Sequence, residues 1–319
     1  MSAMHRPVLR VILGLTALLL VQHTSYAQQT QTEEMERRAK VLSMLPANAA
    51  KRIFGTTPGP APLEARAIGS FARGCLAGAK ALPVDGETWQ VMRLSRNRRW
   101  GHPDLISVVE RIARRAPSEA KWRGLLVGDI SQPRGGPMLT GHASHQIGLD
   151  ADIWLTPMPN RVLTRDEREN MSATNLARSD WMDVDPAVYT PSHLALLRLA
   201  AKEKAVARIF VNPAIKVALC RDAGADRNWL SKVRPMWGHN YHFHIRIACP
   251  ANDATCVDQP LPGDGDGCGA ELQDWLKKQY AAMNKPKRPP GPQGKPKPQP
   301  RAWTLDDLPD ECRNVAVAK

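Results

Sequence analysis

Several signatures are missing from this sequence, and each absence removes a class of function. There is no Gly-x-Ser-x-Gly elbow, the strained turn that presents a serine nucleophile in many hydrolases. There is no Cys-x2-Cys pair, so a cysteine-built zinc cluster is disfavoured. The apolar run from Val11 to Val21 falls well short of the roughly 20 residues that span a bilayer, and no later stretch could span either. Aromatic residues make up only 5% of the chain, and no nucleic-acid motif accompanies its dispersed basic residues. The net charge of +13 implies attraction to something anionic, yet no nucleic-acid partner is expected. A cell-wall polymer or a membrane surface is at least as available, and part of the charge lies near the C-terminus, where it can serve solubility alone.

What the chain does have begins with an export signal. Arg6 and Arg10 precede the apolar run and Ser25-Tyr26-Ala27 forms a small-residue cleavage site, so residues 1–27 are predicted to be a signal peptide removed after Ala27. The six cysteines, Cys75, Cys220, Cys249, Cys256, Cys268 and Cys312, fit an oxidising compartment and are even in number. Spacing alone leaves their pairing open, although Cys249 and Cys256 lie close enough for a local bridge.

Residues 28–66 lack a sustained apolar period and are predicted to be a lead-in of partial helix and loop. A domain over 67–283 follows. The remaining 284–319 is a Lys/Pro-rich tail, extended and solvated, and a disulfide through Cys312 would turn it into a tethered strap. Within the domain, Leu105, Val108, Val109 and Ile112 recur at helical spacing after Pro103, and Leu125-Leu126-Val127 is a short buried strand. The loop Pro133–Pro137 is predicted to border an active cleft, and Ser192 to cap a helix through Lys202. Arg208 to Val211 returns to strand before Asn212-Pro213. Helices and strands alternate without a regular βαβ repeat, which argues for α+β with a mainly antiparallel sheet, flanked by helices and long loops.

The stretch Gly141-His142-Ala143-Ser144-His145 runs directly into a segment in which Leu149, Ala151, Ile153 and Leu155 face one way and Asp150, Asp152 and Trp154 the other. Far downstream, His242-Phe243-His244-Ile245-Arg246-Ile247 repeats the alternation, so the two segments are predicted to be sheet partners. Five of the nine histidines fall in these two clusters, at His142, His145, His239, His242 and His244. A polar outer sheet face is the plain alternative. The sharper reading is a metal site, because imidazole and carboxylate are the ligands of catalytic zinc, and His145, Asp152 and His244 supply three. In a regular strand His242 and His244 point the same way, so spacing alone allows either or both to bind the ion.

His-x6-Asp at His145 to Asp152, followed by His-x-His at His242 to His244, resembles the lysostaphin, D-Ala-D-Ala metallopeptidase and murein endopeptidase group. Within it, the strings GHASHQIGLDADIWL, RIFVNPAIKVALC, WLSKVRP and GDGCGAELQ are similar to the penicillin-insensitive murein endopeptidases, from about Gly69 to Trp275. The resemblance implies the same α+β fold around zinc and hydrolysis of the D-alanyl to meso-diaminopimelyl amide of peptidoglycan in the periplasm, insensitive to β-lactams. It implies His242 as base or transition-state stabiliser, with His239 the other candidate. Asp150 would either orient a ligating imidazole or be a solvated aspartate. A second metal would use His142 with Asp180 and Asp183, the latter standing where the family pattern has histidine. The family order also implies Cys220–Cys268 and Cys75–Cys312. A hydrolase of another anionic polymer and a wall-binding protein with structural zinc are the competing readings, and whether the protein is a homodimer is open.

Overall fold

The computed structural model describes residues 31–284 and 301–319; the predicted signal peptide and the Lys/Pro-rich stretch 285–300 lie outside the described residues. Residues 31–44 are helical (α1), followed by α2 (Ala50–Thr56), β1 (Arg66–Ser70), β2 (Arg73–Ala77), β3 (Lys80–Ala81), β4 (Asp85–Gly86), β5 (Trp89–Val91), β6 (Trp100–Gly101) and α3 (Pro103–Glu119). After β7 (Leu125–Val127) and β8 (Asp150–Trp154) come α4 (Arg165–Asn170), α5 (Pro191–Lys202), β9 (Val206–Val211) and α6 (Pro213–Asp222). Then follow β10 (Val233–Pro235), β11 (His242–Ile247), β12 (Cys256–Val257), α7 (Ala270–Met283) and α8 (Glu311–Val317).

Helix α3 illustrates how local sequence sets an element. His102 accepts the Asp104 amide at its N-terminus, and Pro103 occupies the first turn, where its missing N–H costs nothing. Leu105, Ile106, Val108, Val109, Ile112, Ala113 and Ala116 form one buried stripe. Lys121 takes a left-handed conformation (φ 53°) and the Trp122 amide bonds back to the Ala116 carbonyl, which ends the helix.

Seven strands form the main sheet in the order β10-β9-β11-β8-β7-β5-β4. The pairs β10–β9 and β7–β5 are parallel and the other four are antiparallel, in keeping with the α+β expectation. β8 and β11 are direct antiparallel neighbours, with His244 opposite Asp152, Arg246 opposite Asp150 and His242 opposite Trp154. Ala151, Ile153, Phe243, Ile245 and Ile247 enter the main core with α3 and α5. The other face is polar but not outward: every residue of both strands is buried. The turn before β8 covers it, with His142 and His145 against Asp152, while the segment after β7 extends the strand ladder, the Gly128 amide donating to the Asp152 carbonyl and the Asp152 amide to the Asp129 carbonyl.

A second core joins the ends of the described chain. Phe54 and Ala50 of α2 pack with Ile68, Cys75 and Ala77 of the β1–β2 hairpin and with Leu308, Cys312 and Val315 at the C-terminus. The bonds Cys75–Cys312, Cys220–Cys268 and Cys249–Cys256 account for all six cysteines. The last residues are thus built into the fold rather than trailing from it.

Two local expectations are corrected. Thr190, not Ser192, precedes α5, and its amide donates to His193 Nδ1 at 3.0 Å. The Pro133–Pro137 loop does not line the cleft described below. Arg134 donates to the carbonyls of Val315, Ala316 and Ala318. Gly136 (φ 75°) passes so close to Phe54 that a Cβ would lie 2.2 Å from its ring, so the loop belongs to the second core.

Candidate metal centre

Asp152 sits among four imidazoles. Its Oδ1 lies 3.5 Å from His145 Nε2, 3.3 Å from His244 Nδ1 and 3.6 Å from His242 Nε2, and its Oδ2 lies 3.5 Å from His142 Nε2. Burial works to raise its pKa, but His242, His145 and His142 outweigh it and hold the carboxyl well below the usual range. Cross-strand register brings His244 and His242 here, and the tight turn before β8 brings His142 and His145.

His145 is fully buried in a left-handed conformation (φ 66°), rare for a residue with a side chain. Its amide donates to Asp150 Oδ2 at 3.0 Å, its carbonyl accepts from Ser131 Oγ at 2.5 Å, and Nδ1 lies 2.6 Å from the Ile130 carbonyl. A carbonyl can only accept, so Nδ1 carries the proton and the Nε2 lone pair faces Asp152. Burial and then His142 lower the pKa of this ring, which keeps it neutral.

His244 is wedged between two carboxylates, with Nε2 3.0 Å from Asp150 Oδ1 in an ionic contact outside hydrogen-bond alignment. Burial opposes its charge, but Asp150 and Asp152 prevail and raise its pKa to about 9. Asp150 is not a solvated aspartate. It is fully buried and bound by Arg246 through Nε at 2.7 Å and Nη2 at 2.9 Å, and although burial opposes this, His244 and Arg246 hold its carboxyl ionised. Its position supports both flanking histidines.

His242 is buried beside the cleft, and burial, against the pull of Asp152, lowers its pKa. His239 stands next to it, ring centroids 4.8 Å apart, with Nδ1 2.7 Å from the Trp237 carbonyl. Burial, His242 and His244 push the His239 pKa to about 4. Both rings are neutral at pH 7. The adjoining cleft, about 320 Å³, is lined by His142, Asp152, His242, Asp129, Trp154 and Tyr241, and by Arg93 and Arg96.

Among the described residues, Asp180 and Asp183 do not join this centre. Asp180 accepts from Arg178 and the Met182 amide on an exposed loop, and Asp183 pairs with Arg221 at 2.7 Å. His142 instead meets Asp129, whose Oδ2 is 3.0 Å from His142 Nε2 and 2.9 Å from Arg98 Nη1. Burial again disfavours the charge, and Arg98, His142 and Arg96 overcome it to hold Asp129 ionised. Sequence reasoning missed Asp129 and its arginines; the one signal was an aspartate placed directly after the buried strand Leu125–Val127 and Gly128. A Ser-x-x-Lys spacing does occur at Ser118 to Lys121, but Ser118 is exposed at the end of α3 and its Oγ donates to the Arg115 carbonyl.

Among the described residues, four buried atoms here have no hydrogen-bond partner: His145 Nε2 and Asp152 Oδ1, which face each other, and His242 Nδ1 and His244 Nε2, the ring nitrogens turned away from Asp152. Unpaired buried polar atoms cost on the order of 1–3 kcal/mol each, and a cation is the group that imidazole lone pairs and carboxylates jointly satisfy. Two overlapping donor sets, His142/His145/Asp152 and His145/Asp150/His244, have their atoms within 4.8 Å of one another. The expected trio of His145, Asp152 and His244 draws on both. The residues present therefore fit a metal ion.

The model of one protein family, described as penicillin-insensitive murein endopeptidase, matches residues 67–317. Proteins called penicillin-insensitive murein endopeptidase from Escherichia coli O1:K1, E. coli strain SMS-3-5 and E. coli O127:H6 are each 47% identical to this chain over 229 residues, 72% of this chain and 83% of theirs. Because the matched span takes in both site strands, the turn that carries His142 and His145, and the disulfide-bonded C-terminus, the chain belongs to the penicillin-insensitive murein endopeptidase family.

Proposed function

We propose that this protein is a zinc-dependent murein DD-endopeptidase that hydrolyses the D-alanyl to meso-diaminopimelyl amide cross-link of peptidoglycan in the periplasm. The observation that carries the reading is the facing pair of unpaired buried atoms His145 Nε2 and Asp152 Oδ1, with His244 Nδ1 and His242 Nε2 turned to the same oxygen. His145, Asp152 and His244 would hold the ion, and His142 and His242 flank them. When bound, zinc supplies a Lewis acid that lowers the pKa of water toward about 7 and polarises the scissile carbonyl.

The protein's own residues do the rest. The Ile130 carbonyl fixes the His145 tautomer and Asp150 orients His244, so both rings are set before substrate arrives. His242, neutral and cleft-facing, takes a proton from the attacking water at Nε2 and returns it to the leaving amine. His239, its ring centroid 4.8 Å from that of His242, is the other candidate for this role. Hydrolysis by water calls for no serine nucleophile, so a β-lactam would have nothing to acylate in this mechanism. The predicted export signal and the three disulfides support a periplasmic setting.

Digestion of purified murein sacculi tests the reading. The expected products are uncross-linked muropeptides, formed by the zinc-loaded protein and not after chelation. His145→Ala, Asp152→Ala and His244→Ala should each lose tightly bound zinc and activity together; wild-type zinc content in Asp152→Ala would sink the ligand assignment.

A further inference from the structure

The cleft has a cationic lining that the hydrolytic residues do not use. Arg93 sits in the left-handed backbone region (φ 56°), and its guanidinium is locked by the main-chain carbonyls of Arg168, Glu169 and Met171. Carbonyls satisfy its hydrogen bonds without cancelling its charge. The guanidinium also lies 5.3 Å from the Trp154 ring centroid, which holds it over the cleft wall. Arg96 shares a single oxygen, Asp129 Oδ2, with Arg98 and His142, at 3.2, 2.9 and 3.0 Å. One carboxylate thus faces two guanidiniums and an imidazole, and Arg96 Nε is buried with no partner at all. The neighbouring carboxylates are engaged elsewhere: Glu169 accepts from the Ser95 amide and hydroxyl, both at 2.7 Å, and Glu34 accepts from Thr140 Oγ1 at 2.7 Å and pairs with Arg37. Neither arginine therefore has a carboxylate to itself, and both line the same cleft as Asp152 and His242.

We propose that Arg93 and Arg96 form a subsite for a free carboxylate of the substrate, the one attached to the carbon that carries the leaving amine. The inference rests on the endopeptidase reading above. In a D-alanyl to meso-diaminopimelyl amide, the scissile nitrogen and a carboxylate share one carbon, so a cation in the same cleft reaches that carboxylate while the amide lies at the metal centre. A guanidinium fork holds a carboxylate in a fixed plane, which orients the scissile bond toward His242. Arg93 is immobilised before binding, so little rotamer freedom is lost on contact. Amidation of the carboxylate removes the charge and sets N–H donors against guanidinium N–H donors, which makes the subsite selective by rejection as well as by attraction.

The test compares two cross-linked muropeptide dimers that differ only in whether this carboxylate is free or amidated, cleaved by the full-length mature protein loaded with zinc. The wild type should prefer the free form by about 10- to 100-fold in kcat/KM, the usual worth of hydrogen bonds to a charged group. Arg96→Gln should erase the preference by raising KM for the free dimer, while the amidated dimer changes by less than about threefold. Arg96→Lys, which keeps the charge and loses the fork, should recover part of it. Calorimetric binding of the amine-side product peptide should weaken by the same factor in Arg96→Gln, a readout independent of turnover. Equal cleavage of both dimers by the wild type, or an equal loss on both in Arg96→Gln, overturns the subsite and leaves the endopeptidase reading standing. No cleavage of either dimer by the wild type overturns both.

Discussion

His145 and Asp150 form a mutual dependence at the scale of single residues. The left-handed backbone of His145 costs on the order of 1–3 kcal/mol and persists because Asp150, Ser131 and Ile130 fix it from three sides. Asp150→Ala leaves Arg246 buried without its carboxylate and His244 with Asp152 alone, and should destabilise the metal-free protein by about 3–5 kcal/mol, read from urea unfolding. His242→Ala removes the group proposed above to move the proton, which is not among the proposed ligands. Zinc content should stay at wild type while kcat falls by roughly 10²–10⁴ and KM moves little. Loss of zinc in that variant would make His242 a ligand and shift proton transfer to His239. Lys216 gives a pH prediction away from the centre. Its Nζ is buried against the carbonyls of Leu230 and Asp266, and burial lowers its pKa from 10.5 to about 7. Between pH 7 and 10.5 the unfolded chain holds a proton that the folded protein has released, so this group makes stability rise with pH across that window. Lys216→Met should flatten the slope in denaturation curves taken at several pH values, whatever its effect on absolute stability.

At the scale of elements, helix α3 and the two site strands were legible because their periodicity is strong. The buried stripe of α3 follows from Leu105, Val108, Val109 and Ile112 at helical spacing, and it predicts that Ile112→Ala should cost about 2–5 kcal/mol, seen as a lower urea midpoint with an unchanged slope. The alternation in β8 and β11 identified which residues share a face. It misjudged what that face meets, since alternation reports only which side is apolar, and here the polar side is buried beneath the turn that carries His142 and His145. Asp180 and Asp183 were misplaced for a related reason. Loop residues carry no period, and each of these aspartates is held by a nearby arginine.

At the scale of the whole molecule, the second core ties the C-terminal residues to the β1–β2 hairpin through Cys75–Cys312, which spans 237 residues of sequence, whereas Cys249–Cys256 spans 7. In the chain-entropy account a bridge closing the long loop contributes about 5 kcal/mol and one closing the short loop about half of that. Cys312→Ser should therefore lower the unfolding free energy more than Cys256→Ser does, measured by urea denaturation under non-reducing conditions.

The sequence by itself determined the α+β class, the pairing of the two site strands and the short candidate set of histidines and aspartates, because these depend on periodicity and residue chemistry. Only the tertiary structure decided the environment of each group. It gave Asp129, not Asp183, to His142, tied Asp150 to Arg246, turned the Pro133–Pro137 loop into the second core and placed Arg93 and Arg96 at the cleft. Burial and counter-charge are set by residues tens of positions apart, and no local pattern in the chain encodes which of them will meet.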